Sequence, residues 1–234
     1  YCEKPMAGSY HDARAMLDAA QRTGRKLHIQ LANLYSPEHK TAKRLIDEGR
    51  LGKLYHARSQ GFRRRGRPFV DGYGAPSFVK KEAAQGGALF DMGIYHIAQV
   101  LHLLGNPEVE TVSGATHQEL PMYEDRAQTS GYSVEEFAVG FVRLRGGLTL
   151  DIEEAWAVHY DGSESSKILG SLGGLKLSPF TFFSQSGDME FSAQMDLQML
   201  DHRWHACQPE YAVYDSSQQH WIAVHLGLRK CVDL

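Results

Sequence analysis

The chain has 234 residues, 42% hydrophobic and 23% charged, the balance of an ordinary globular protein long enough to bury a core. Lys plus Arg number 25 against 28 Asp plus Glu, a formal charge of −3, which argues against nucleic acid or a membrane surface as partner. No run approaches the ~18 apolar residues of a membrane-spanning helix.

Cys2, Cys207 and Cys231 lie far apart with no CxxC pair, so a disulfide scaffold is not expected and the cytoplasm is the expected compartment. The 12 histidines are scattered without HExxH or HxH, and no metal is expected. The opening residues 1–6 carry no initiator Met and no signal-peptide pattern, and residues 220–234 stop inside an apolar segment. Both ends therefore read as cuts in a longer chain.

Ser9 and Asp12 form an N-cap with an acidic first turn, and Ala13, Met16, Leu17 and Ala20 recur at helical spacing before Gly24. A helix over 9–22 is predicted. Residues 26–31 (KLHIQL) alternate and predict a strand. Ser36-Pro37-Glu38 opens a second helix that Gly49 ends. This alternation is the tail of an α/β unit. After Gly52 the pattern changes to strand-like runs over 53–62, 109–116, 134–144, 148–158 and 166–177. A hairpin turn is predicted at Arg145-Gly146-Gly147. One helix, 88–104, interrupts them, with Phe90, Ile94, Ile97, Leu101 and Leu104 as its predicted buried stripe. Strands carrying one helix suggest an α+β domain on an antiparallel sheet.

Glu3-Lys4-Pro5 precedes the first helix. A lysine there can hold a substrate hydroxyl or donate a proton, and it equally fits a surface lysine before a turn. Residues 86–96 (GGALFDMGIYH) open the long helix. In a straight α-helix Tyr95 lies about 40° from Asp91, whereas His96 lies about 140° away. Asp91 and Tyr95 are thus a candidate acid–phenol pair, or a capping acid beside a half-buried tyrosine. His96 is read as a second proton-transfer candidate or as a core histidine. Residues 63–68 (RRRGRP) are the densest charge run and suit either an acidic substrate or a solvated loop or subunit contact. Gly173-Gly174 is read as a hairpin pair, since strands and not a strand and a helix flank it.

In order and spacing over residues 1–180, Glu3-Lys4-Pro5, AKRLIDEGRLG at 42–52, GGALFDMGIYH, VEEFAVGFVRL at 134–144 and ILGSLGGLKL at 168–177 resemble the glucose-fructose oxidoreductase, inositol dehydrogenase and MocA family. The resemblance implies the tail of a Rossmann-type nucleotide domain, residues 1–52, followed by an open, mostly antiparallel β-sheet domain with a helix layer, residues 53–234. The family's Gly-rich phosphate loop and ribose-reading acid lie ahead of its Glu-Lys-Pro, so roughly a hundred residues of nucleotide domain are expected outside this sequence. It further implies NAD or NADP as cofactor, met by Glu3, Lys4 and Pro5. Lys4 would touch substrate and nicotinamide, Asp91 would orient the substrate, and the residue four later would exchange the hydroxyl proton. Many members have histidine there. Here it is Tyr95, as in the glucose-fructose oxidoreductase and dihydrodiol dehydrogenase branches, with His96 one place on. A Lys4 ammonium would favour the phenolate of a nearby tyrosine. The expected activity is hydride transfer between nicotinamide and a secondary alcohol or carbonyl of a sugar, polyol or cyclic diol. The alternative is a non-catalytic sugar-binding or assembly subunit. A homo-oligomer through the open sheet is expected, with Phe137, Val139, Phe141, Leu150 and Ile152 as candidates for core or interface.

Overall fold

The computed structural model describes residues 1–197 and the backbone of 212–215 and 220–223. Contacts divide the chain into two compact units, residues 1–37 with 197–234, and residues 38–196.

In the first unit α1 (Tyr10–Thr23) is capped at both ends by local chemistry. The Ser9 hydroxyl accepts from the Asp12 amide at 3.1 Å, and Gly24 takes the left-handed conformation at φ 63°. The segment predicted as a strand over 26–31 is instead a single parallel bridge, Cys2 to Ile29, made by Cys2 N–H to His28 and Gln30 N–H to Cys2. A ladder needs consecutive partners, and among the described residues Cys2 alone supplies one. The backbone of Ala212–Asp215 pairs antiparallel with His220–Ala223.

In the second unit α2 (Pro37–Asp47) starts on its proline and buries His39 and Ala42. The strands β1 (Leu54–Phe62), β2 (Val109–His117), β3 (Phe137–Leu144), β4 (Leu148–Ala155), β5 (Ser163–Glu164), β6 (Lys167–Gly170), β7 (Gly173–Leu177), β8 (Phe180–Ser186) and β9 (Met189–Gln194) form one sheet. Its order is β2-β3-β4-β1-β6-β7-β8-β9, with β5 paired to β1. Every pairing is antiparallel except β1 with β4, which run parallel with Gly61 opposite Glu154 and Phe62 opposite Ala155. This is the open, mostly antiparallel sheet with a helix layer that was expected. The 166–177 run divides into β6 and β7 around Ser171-Leu172. Gly173 and Gly174, read as the hairpin pair, are instead the first residues of β7, where a Cβ on Gly173 would meet the Phe183 carbonyl of β8 at 2.9 Å.

α3 is one turn (Lys81–Ala84). The long helix differs from expectation. It begins with a π turn over Leu89–Gly93 and continues as α4 (Ile94–Leu103) on β1. Its fully buried line is Met92, His96, Gln99, Val100 and Leu103, while Phe90, Ile94, Ile97, Leu101 and Leu104 are half-buried. The wider turn changes the phase of the helix, and the sheet beneath offers polar partners, so a histidine and a glutamine take the inward line. A short helix, α5 (Glu124–Ser130), completes the layer. On β3 and β4, Ala138, Val142 and Leu150 turn to the core, whereas Phe141 is exposed on the other face.

Candidate active site

Glu3, Lys4 and Pro5 lie in the first unit, ahead of α1, with Lys4 half-buried and the Lys4–Pro5 peptide cis. Asp91, Tyr95 and His96 lie in the second, on the π turn and the first turn of α4. The π turn advances by less than an α-helix per residue, so Tyr95 lies closer in azimuth to Asp91 than the ~40° of a straight helix. Its position follows from the sheet. β1 and β4 end side by side, and the head of the helix sits on the face carrying Ser59, Gly61 and Glu154.

His96 lies over Gly61, where a Cβ would collide with the His96 ring and come within 2.7 Å of the Glu154 carboxylate. Gly61 pairs with Glu154 of β4 on one side and Glu164 of β5 on the other, so a cross-strand row puts a carboxylate on each side of the ring. His96 Nδ1 lies 2.9 and 3.0 Å from the two Glu154 oxygens, and Nε2 lies 3.9 Å from Glu164. The Ser59 hydroxyl donates to Glu154 at 3.2 Å. Burial works against a charged imidazole, but the hydrogen bond to Glu154 and the nearby Glu164 carboxylate outweigh it, and the His96 pKa is pushed up to about 9. Burial raises the Glu154 carboxyl, while the His96 ring lowers that of Glu164. The flanking carboxylates thus favour the charged ring, which opposes its acting as a proton acceptor at neutral pH.

Asp91 is held from the strand side. The Trp156 indole N–H donates to Asp91 Oδ2 at 3.2 Å, and Trp156 is fully buried among Val79, Ala88, Met92 and Val134. The Gly86-Gly87 pair also has a physical reason. Glu135 accepts through its carboxylate from the Gly87 and Leu89 amides at 2.8 and 3.1 Å, capping the helix head, and a Cβ on Gly87 would collide with the Glu135 carbonyl.

The arginine run divides by role. The Arg63 amide bonds to Ala155 at 2.9 Å, one residue from Trp156. Its guanidinium donates to the Tyr73 hydroxyl at 2.9 Å, and that hydroxyl donates to the Gly66 carbonyl at 2.6 Å. Burial is the largest influence on the Tyr73 phenol and raises its pKa. Arg63, Arg64 and Arg65 are exposed, but Arg67 is 1% exposed. All five of its N–H groups are used: Asp71 through Nε and Nη2, Glu136 and the Leu120 carbonyl through Nη1, and the Pro121 carbonyl through Nη2. Arg67 is neither solvated nor available to a ligand.

Sequence reasoning did not single out Trp156, Glu154, Glu164, Tyr73 or the Arg67–Asp71–Glu136 network. A signal was present: Glu136 and Glu154 are charges in or beside strand runs, at positions that alternation turns inward. Among the described residues no group of three or more His, Cys, Asp and Glu could hold a metal ion, and no helix is long and apolar enough to cross a membrane. A groove of about 840 Å³ along β1 and β6–β9, lined by Tyr55, Arg58, Lys167 and Phe183 among others, includes none of the residues singled out for the site.

A single helix layer thus covers one face of the open sheet, with Asp91 and Tyr95 at its head beside the ends of β1 and β4. The chain belongs to the GFO/IDH/MocA family, and residues 39–176 match its C-terminal domain. It is 29% identical over 163 residues to D-glucoside 3-dehydrogenase of Escherichia coli K12, covering 68% of this chain and 45% of that protein. It is 26% identical over 181 residues to scyllo-inositol 2-dehydrogenase (NAD(+)) of Bacillus subtilis 168, covering 75% and 46%. The fold matches an inositol dehydrogenase homolog from Azotobacter vinelandii, complexed with NAD+, at TM-score 0.66 and 18% identity, over 82% of this chain and 50% of that one. The chain thus spans about half the length of the relatives it matches.

Proposed function

We propose that this chain is the substrate-side part of an NAD- or NADP-dependent dehydrogenase that moves a hydride between the nicotinamide and a secondary alcohol or carbonyl of a sugar, polyol or cyclic diol. The observation that carries it is the Asp91–Tyr95 pair, aligned by the π turn beside the ends of β1 and β4, with Asp91 bonded to a buried indole. The nicotinamide, when bound, supplies the hydride chemistry. The chain's own groups then handle orientation and the proton. Asp91 accepts from a substrate hydroxyl, and Tyr95 exchanges the proton of the reacting hydroxyl. Glu3, Lys4 and Pro5 form the nicotinamide side. The Glu154 and Glu164 carboxylates favour the charged form of His96, which supports Tyr95 over His96 as the base. Arg63 and Tyr73, exposed and bonded to each other, are the side chains of the arginine loop left to meet the rest of the substrate.

The relatives' substrates, a glucoside and an inositol, support a polyhydroxylated ring. The outer face of the sheet, on which Phe141 is 37% exposed, supports a homo-oligomer formed through it. Three dispersed cysteines support the cytoplasm as compartment.

The test is turnover by the complete protein with NAD+ and NADP+ across sugars, polyols and cyclic diols. Tyr95→Phe is expected to lower kcat ~10²–10⁴-fold and Lys4→Met comparably, the usual worth of a positioned acid/base group. Normal turnover by Tyr95→Phe rejects the assignment. Binding of such sugars with no turnover under any condition selects the non-catalytic reading instead.

A further inference from the structure

We propose that β4 imposes the π turn on the helix head through two side chains, Glu154 and Trp156, and that Trp156 is the positioning residue for the Asp91 carboxylate. The second half rests on the reading of Asp91 as a site residue; the first does not.

Residues two apart on an extended strand share a face, separated by ~6.6 Å. Glu154 is the next-to-last residue of β4 and Trp156 the first beyond its end, still bonded through its amide to the Glu136 carbonyl, and each bonds one residue of the helix above: Glu154 takes His96 and Trp156 takes Asp91. Asp91 and His96 are five residues apart. In a straight α-helix five residues rise ~7.5 Å, close to the strand spacing, but rotate to ~140° from each other. One strand could not then reach both. A turn closed by i→i+5 bonds rotates less per residue, which brings the two side chains toward a common side with little change in rise. The π turn spans Leu89–Gly93, where it is needed for both bonds to exist together. Small residues make the approach possible: a Cβ on Gly93 would stand 3.0 Å from the Glu154 side chain, and Gly61 clears the space under His96.

Trp156 is built to hold one direction. Its backbone amide donates to the Glu136 carbonyl at 2.8 Å, and its ring is walled by Val79, Ala88, Met92 and Val134. The indole has a single donor, which when buried must find an acceptor, and that acceptor is the Asp91 carboxylate. A rigid donor fixes the plane of the carboxylate against the wall of the site.

Trp156→Phe keeps an aromatic ring in the pocket and removes the N–H. The expected result in the complete protein is a fall in kcat of ~10- to 100-fold, the worth of a hydrogen bond to a charged group, with the melting temperature and the nucleotide Kd nearly unchanged. A direct readout needs no turnover. In the ¹H–¹⁵N spectrum the Trp156 indole signal, assigned by its loss in Trp156→Phe, is expected to move on Asp91→Asn. Glu154→Gln is expected to shift the same signal less, by relaxing the turn from its other end. An indole signal unmoved by Asp91→Asn overturns the clamp. Full kcat in Trp156→Phe, where Asp91→Asn is inactive, overturns the positioning role. Full turnover by Asp91→Asn refutes Asp91 as a site residue and the positioning role with it, while the indole signal still decides whether β4 holds the turn.

Discussion

The carboxylates flanking His96 predict a pH dependence with a definite sign. The ring's pKa is raised from 6.5 to about 9 in the folded protein. The stabilisation from the pair is therefore complete below ~6.5 and is lost as pH rises through about 9, because only the folded state keeps the proton there. At ~1.4 kcal/mol per pH unit this amounts to ~3 kcal/mol across that window. Glu154→Gln retains the shape and removes the charge that lies 2.9 Å from Nδ1. It is expected to remove more than half of the slope, with the remainder due to Glu164 at 3.9 Å. Urea unfolding of the complete protein and of Glu154→Gln, at steps from pH 6 to pH 9.5, measures both. A wild-type stability that is flat over this range, or an equal slope in the variant, refutes the protonated-ring reading and reopens His96 as a base.

Arg67→Met leaves Asp71 and Glu136 as buried charges without their partner and is expected to cost ~3–5 kcal/mol in chemical denaturation; a loss below ~1 kcal/mol would contradict the network. Phe141→Asp, on the exposed sheet face, is expected to shift the complete protein to a smaller species in light scattering. An unchanged mass would show that the oligomer does not use this face.

What was legible in the sequence was what local chemistry decides. α1 is closed by Ser9, Asp12 and Gly24, all within one turn of its ends. The β3–β4 hairpin turns at Gly146 and Gly147, which take φ of 87° and 80°, a conformation glycine adopts without strain. The illegible parts depend on distant partners. β1 and β4 pair in parallel between residues 93 apart in sequence (His56 with Thr149), and the π turn needs contacts from Asp91 to Trp156 and from His96 to Glu154. Helical periodicity, which assumes ~100° per residue, chose the 90–94–97–101–104 stripe and put His96 on a flank. The structure places His96 on the line facing the sheet. The RRRGRP run was read as one unit. Its fourth arginine belongs to the core because Asp71, Leu120, Pro121 and Glu136 converge on it from three segments.

That division bears on how the site can be altered. A loop fastened to the core by one fully bonded guanidinium can carry new side chains at its other positions without losing its path. A mutational library that varies Arg63, Arg64, Arg65 and Tyr73 while keeping Arg67, Asp71 and Glu136 should yield mostly folded variants with changed substrate preference. Randomising the three network residues instead should yield mostly unfolded ones. Tolerance to change would then stop at a boundary between neighbouring residues of the loop, the exposed arginines on one side and the buried one on the other.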